Sequence, residues 1–259
     1  MGTDRYAYQS RLRRVSPLPK LLLTAVTLAV CLCCNSVAVG LATLAVMGVL
    51  ITALGGLPAG VFLRFVRIPL VFLAVGCVTI LVHLYPAGTP VLAALPVGGR
   101  LLGFTAADLT LSARLFCKAL GAVGCMYFLS LNTPVTDLTM ALERLHVPRL
   151  MVELMELIYR FIFVLGETAA HIRLAQESRL GYRGLRRSLS SLGTLASMVF
   201  LRAWRKADRV YAALESRGYA GSLVTLGGAY RPGWGLCPLT AALAAGQLAL
   251  FAVERRLFP

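Results

Sequence analysis

The sequence predicts an all-α, polytopic membrane protein with about five transmembrane helices and a cytoplasmic pair of long helices. Three observations lead there. Hydrophobic residues make up 58% and charged residues 14% of the chain, against about 45–50% and about 25% for soluble domains. The apolar residues gather into long runs instead of alternating through a core. The basic residues, which carry the net charge to +15, concentrate in one long stretch between apolar runs, as topology signals do.

The first run, Leu21 to Leu54, contains no charged residue. As one helix it would extend about 50 Å, well past the roughly 30 Å hydrocarbon core, so it reads as two antiparallel spans turning at Asn35 and Ser36. It is too long for a signal peptide, and no small-residue cleavage site follows a short apolar core. A third span runs from about Ile68 to Tyr85 and closes at Pro86 and Gly88. A fourth, from about Ala106 to Leu131, closes at Asn132, Thr133 and Pro134 and carries Asp108, Arg114 and Lys118. Charges at such depths are costly in lipid, so they are expected against other helices or near the ends. A fifth span runs from about Leu236 to Val253. The chain thus divides into four N-terminal spans over residues 1–131, a polar helical region over 132–235 and a last span over 236–259.

Residues 132–235 hold fourteen Lys and Arg against eight Asp and Glu. The positive-inside bias places them in the cytoplasm. Arg5, Arg11, Arg13, Arg14 and Lys20 before the first span put the N-terminus there too, as do Arg64 and Arg67 in the second connection, while Pro86 to Thr105 has only Arg100. Five spans then leave Arg255 and Arg256 outside, a smaller bias partly offset by Glu254. Dispersed arginines beside apolar spans fit topology and anionic-lipid contact, and no nucleic-acid partner is expected.

Within this region a first helix is predicted over about Arg149 to Leu180. Glu153, Glu156, Arg160, Glu167 and His171 form one polar stripe, and Leu150, Leu154, Leu157, Phe161 and Leu165 belong to an apolar face too wide for an isolated surface helix. Gly181, Tyr182, Arg183 and Gly184 break it. A second helix follows from about Ser188 to Arg217, with Arg202, Arg205, Lys206 and Arg209 on one face. The two helices end alike, the first in Glu177-Ser178-Arg179-Leu180-Gly181-Tyr182 and the second in Glu215-Ser216-Arg217-Gly218-Tyr219, thirty-eight residues apart. Gly218 after Arg217 is an ordinary helix terminus. Two such ends in one basic region also present two arginines to grooves on two copies of a partner.

These paired ends resemble the two Ala-Arg-Gly-type motifs of the transmembrane T component of energy-coupling factor transporters. The stretch Asp4-Arg5-Tyr6-Ala7-Tyr8-Gln9-Ser10-Arg11-Leu12-Arg13-Arg14, with Pro17, Pro19 and Lys20, is similar to the cobalt-type, CbiQ family. The likeness extends through Pro134, Leu142, Leu145, Val147 and Pro148. Serine replaces alanine in both motifs and Leu180 replaces glycine in the first, with Gly181 offering flexibility one residue late. The resemblance implies a scaffold and coupler of an ATP-driven cobalt importer in the inner (plasma) membrane. Its implied partners are two ATP-binding subunits, contacted through Ser178, Arg179, Leu180, Ser216, Arg217 and Gly218, and a substrate-binding membrane subunit, with membrane lipids around them.

The residues themselves agree with a non-catalytic role. No Gly-x-x-x-x-Gly-Lys-Ser/Thr phosphate loop is present, so ATP hydrolysis falls to another chain. Cys31, Cys33, Cys34, Cys77, Cys117, Cys125 and Cys237 lie in or beside apolar runs and share no ligand spacing with His83, His146 or His171, so neither a metal site nor a cofactor is expected. An intramembrane enzyme would need a nucleophile and base among the span charges, and a standalone secondary transporter would need repeated spans with broken helices. Neither pattern is present.

Overall fold

A computed structural model describes residues 2–81, 83–86, 93–97, 100–219 and 230–257. The order is α1 (Gly2–Gln9), a 3-10 turn (Arg11–Arg14), α2 (Pro17–Cys33), α3 (Val37–Ala53), α4 (Ala59–Leu81), β1 (His83–Pro86), β2 (Ala93–Val97), β3 (Arg100–Phe104), α5 (Ala106–Asn132), α6 (Val135–Arg144), α7 (Arg149–Ser178), α8 (Leu185–Glu215) and α9 (Leu236–Leu257). Two compact units result, one of residues 1–138 with 229–259 and one of residues 139–228.

In the first unit the long apolar run breaks where Asn35 and Ser36 predict. Proline in the first turn opens α2, where a missing N–H costs nothing, and the Ser36 hydroxyl accepts from the Val39 N–H to cap α3. At 17 residues each, α2 and α3 are about 26 Å long, just short of the hydrocarbon core. Helices α4, α5 and α9 are long and apolar enough to cross a membrane. Helix α5 is the centre of the bundle: 44% of its most apolar window is buried, against 6% for α4 and 17% for α9, and it packs on α1, α2, α3 and α4.

The closest crossing is α3 on α5. A Cβ on Gly40 would collide with the Cys117 carbonyl, and one on Gly121 would lie 2.9 Å from the Gly40 oxygen. Small residues bring the two backbones together, as membrane helices require when burial alone gives little drive. Further along the same helices Met47, Ile51, Phe128 and Leu131 join Leu23 of α2 in the buried apolar core.

Four features correct or refine the sequence reading. Arg64 and Arg67 belong to α4, which begins at Ala59 and is exposed at both positions, so they extend the third span's helix instead of a loop. The connection after it forms a three-stranded antiparallel sheet in the order β1-β3-β2, with Leu84 opposite Leu102 and Leu95 opposite Leu102. Asp108 lies in the first turn of α5, where its carboxylate accepts from the Thr105 N–H at 2.8 Å and the Thr105 hydroxyl accepts from the Asp108 N–H at 3.3 Å. This is a capping box, so the acid takes the second of its two expected places, near a helix end, and serves that end.

Lys20 is the fourth. Its side chain is fully buried, and Nζ donates to the carbonyls of Leu12 at 3.0 Å and Asn132 at 3.3 Å. The Asn132 side chain accepts from the Ser10 hydroxyl at 2.7 Å and donates to the Phe128 carbonyl at 2.9 Å. The lysine therefore joins the N-terminal segment to the end of α5, and acts as structure rather than as a flanking topology charge.

Candidate functional site

The second unit is organised around α7 and α8. Gln176 Nε2 donates to the Ser191 carbonyl at 3.0 Å near their connection. At the other end Leu154, Ile158 and Ile162 of α7 line a hollow of about 470 Å³ with Leu214, Val210 and Ala207 of α8. In each pairing the residue numbers fall on one helix as they rise on the other, which defines an antiparallel hairpin. The polar stripe predicted on α7 serves mostly local roles. Glu153 pairs with Arg149 at 3.3 Å, Glu156 accepts from the Thr139 hydroxyl at 3.1 Å, and Glu167 lies 4.0 Å from His171.

Both predicted helix ends adopt one hydrogen-bond pattern. After α7, the N–H groups of Leu180 and Gly181 donate to Glu177 at 3.0 Å and Gln176 at 2.9 Å; after α8, those of Gly218 and Tyr219 donate to Glu215 and Leu214, both at 3.0 Å. Residue for residue these pairs are offset by the thirty-eight positions that separate the sequence motifs. The 5→2 and 6→1 bonds define a Schellman end, whose penultimate position needs a left-handed backbone. Gly218 supplies φ 74° there, and Leu180 adopts φ 57°.

That finding corrects the expectation about Gly181. The left-handed turn falls on Leu180 itself, a conformation costing an L residue about 1–2 kcal/mol. Gly181 answers a different need: a Cβ there would lie 2.8 Å from Ser191 Oγ and 2.9 Å from the Gln176 oxygen. Ser191 Oγ donates to the Gly181 carbonyl at 2.7 Å, Ser188 Oγ to the Tyr182 carbonyl at 3.1 Å and Tyr182 Oη to Gln176 Oε1 at 2.8 Å. Sequence reasoning placed the break but missed the side-chain bonds that hold it, because serines at a helix start look like ordinary polar residues. The Gly-Tyr dipeptide after the motif was its one visible signal.

Arg179 and Arg217 are exposed, and neither guanidinium has an ion-pair or hydrogen-bond partner among the described residues. Ser178 and Ser216 return their hydroxyls to the helix, donating to Leu174 at 2.9 Å and Ala213 at 3.0 Å. The six motif residues therefore form two separate sites. Helix α8, 31 residues long, spans about 46 Å, which sets the two arginines at opposite ends of the hairpin. Between them α8 has no buried residue. It presents Arg202, Arg205, Lys206 and Arg209 together with exposed Leu189, Phe200 and Trp204.

Chemically these two ends can bind anionic or acceptor-rich grooves, and nothing in them resembles a catalytic constellation. Arg173, near the first end on α7, is held to Glu177 at 2.8 Å, and that hydrogen bond raises its pKa. Among the described residues no group of three or more His, Cys, Asp and Glu is placed to hold a metal ion.

Fold and site together define a multi-pass membrane protein that presents two arginine-bearing helix ends. The family model described as cobalt transport protein, CbiQ, matches residues 9–226. An uncharacterised protein of Methanocaldococcus jannaschii is 32% identical over 86% of this chain and 82% of its own. The cobalt transport protein CbiQ of Salmonella typhimurium is 32% identical over 85% of this chain and 97% of its own. A putative fused cobalt transport protein CbiMQ of Methanocorpusculum labreanum is 32% identical over 85% of this chain and 37% of its own. The chain belongs to the CbiQ family of cobalt transport proteins and is a membrane component of cobalt transport.

Proposed function

We propose that this chain is the coupling subunit of an ATP-driven importer, with Co²⁺ as cargo carried by a partner and not bound in this chain. The observation that carries the reading is the pair of Schellman ends, matched bond for bond and each tipped by an exposed arginine without a partner among the described residues. Two equivalent contacts at opposite ends of a helix about 46 Å long suit two copies of one ATP-binding subunit. A long stiff helix between them converts their approach or separation into a displacement of the hairpin. The exposed apolar and basic residues of α8 suit further protein or lipid contact.

A separate substrate-binding membrane subunit completes the assembly. The name of the fused relative, CbiMQ, supports a CbiQ-type chain working beside another membrane unit. In this reading the protein sits in the inner (plasma) membrane with its N-terminus and residues 132–235 in the cytoplasm, where ATP is available.

Co-purification with ATP-binding subunits, paired with ATP-driven cobalt uptake, tests the proposal. Reversing a charge at an interfacial contact commonly costs about 2–5 kcal/mol. Arg217→Glu is expected to lower uptake sharply, and Arg179→Glu with Arg217→Glu to release the ATP-binding subunits while the chain still inserts. Full retention and uptake by the double variant would refute the coupling role.

A further inference from the structure

Arg114, like Lys118, is a span charge that neither the fold nor the proposed coupling role absorbs. It lies eight residues after Ala106, about 12 Å along α5. There it lines a hollow of about 240 Å³ with Asn35, Ser36, Phe251, Glu254 and Arg255. The hollow collects the α2–α3 turn, the last turns of α9 and one side of α5. Ser36 Oγ donates to a Glu254 carboxylate oxygen, which fixes the end of α9 at the level of the turn. Neither Arg114 nor Arg255 has an ion-pair or hydrogen-bond partner among the described residues.

The level of this hollow decides what can enter it. Helices α2 and α3 each measure about 26 Å, so the turn joining them lies at the edge of a roughly 30 Å hydrocarbon core, where headgroup phosphates begin. Two guanidinium groups against one carboxylate leave the hollow net positive, and that carboxylate is already engaged by Ser36. Unpaired guanidinium groups at a bilayer edge are costly unless they meet an anion, and their planar fork suits phosphate oxygens. Phe251 gives the same hollow an apolar wall, suited to the glycerol and first methylenes below a headgroup. We propose that Arg114 and Arg255 bind the phosphate of an anionic phospholipid in this hollow, on the membrane face that holds the α2–α3 turn. Both arginines approach the phosphate oxygens, and the Ser36–Glu254 bond keeps the end of α9 in place to receive it.

The test is native mass spectrometry of the full chain released from detergent micelles. The micelles contain dioleoylphosphatidylglycerol or, for comparison, dioleoylglycerol, which has the same chains and no phosphate. The wild type should retain the phosphatidylglycerol about tenfold more strongly, as one charge-assisted contact of this kind allows. Arg114→Gln with Arg255→Gln should erase that preference. Glu254→Gln should increase it, since the one anion in the lining is removed. Arg255→Gln alone keeps the fold safe, because Arg255 is exposed in the last turn of α9, and should weaken retention several-fold. Unchanged retention in Arg255→Gln or in the double variant would overturn the proposal. So would displacement of the lipid by excess orthophosphate, which would identify a free-anion site.

Discussion

Leu180 and Gly218 occupy the same left-handed position of two matched helix ends, so exchanging residues between them isolates a backbone energy from everything else. At Gly218 the perturbation is clean: φ is 74° and a Cβ would meet nothing within 4 Å. Gly218→Ala therefore adds no clash, and its cost is the left-handed penalty less the freedom glycine loses on folding, about 1 kcal/mol net. Leu180, 58% exposed, needs a two-variant comparison because leucine retains some packing. Leu180→Gly set against Leu180→Ala removes the packing term and should favour glycine by about 1 kcal/mol. Amide hydrogen exchange reads both effects at the bonds that close each end, Gly181 N–H to Gln176 and Tyr219 N–H to Leu214. A difference of 1 kcal/mol corresponds to about fivefold in opening. Gly181 should exchange about fivefold more slowly in Leu180→Gly than in Leu180→Ala, and Tyr219 about fivefold faster in Gly218→Ala than in the wild type. Equal rates at either site would show that the end does not hold a left-handed residue there.

Lys20→Met keeps the stem and removes the ammonium, leaving the Leu12 and Asn132 carbonyls without their donor. A loss of about 2–4 kcal/mol is expected, read as a lower melting temperature in detergent, and an unchanged melting temperature would refute the lysine's structural role. Gly40→Leu should force α3 from α5 and reduce the monodisperse fraction on size-exclusion chromatography, at a cost of about 1–3 kcal/mol or more. Gly60→Leu, where nothing lies within 4 Å, is the matched control and should leave the profile unchanged. Equal behaviour of the two variants would remove the close-crossing account.

The helical membrane architecture was legible because apolar run length is a one-dimensional signal. The break at Asn35 and Ser36, the ends of α5 and the corner at Gly181 to Gly184 all fall near where composition puts them. The paired helix ends were legible for a similar reason, since a Schellman end depends on residues within one turn. What depends on partners distant in sequence was not. Lys20 reads as one more flanking charge until Asn132, far along the chain, shows what it bonds. Arg114 reads as a span charge expected against other helices or near an end, and only the fold shows that it lines a hollow with α9 and the α2–α3 turn. Leu180 could not be recognised as left-handed, because leucine carries no signal for that conformation and the adjacent Gly181 offers a stronger one.

The buried lysine also sets an order of assembly. Its two acceptors lie at Leu12, made before it, and at Asn132, the last residue of the fourth apolar helix. Until residue 132 has emerged, the ammonium lacks one of its two final acceptors. The clasp on the N-terminal segment therefore closes only after α5 is made, although that segment is synthesised first. A chain cut short inside α5 would leave that clasp open, with its lysine and the Ser10 hydroxyl exposed to whatever recognises unfinished membrane proteins.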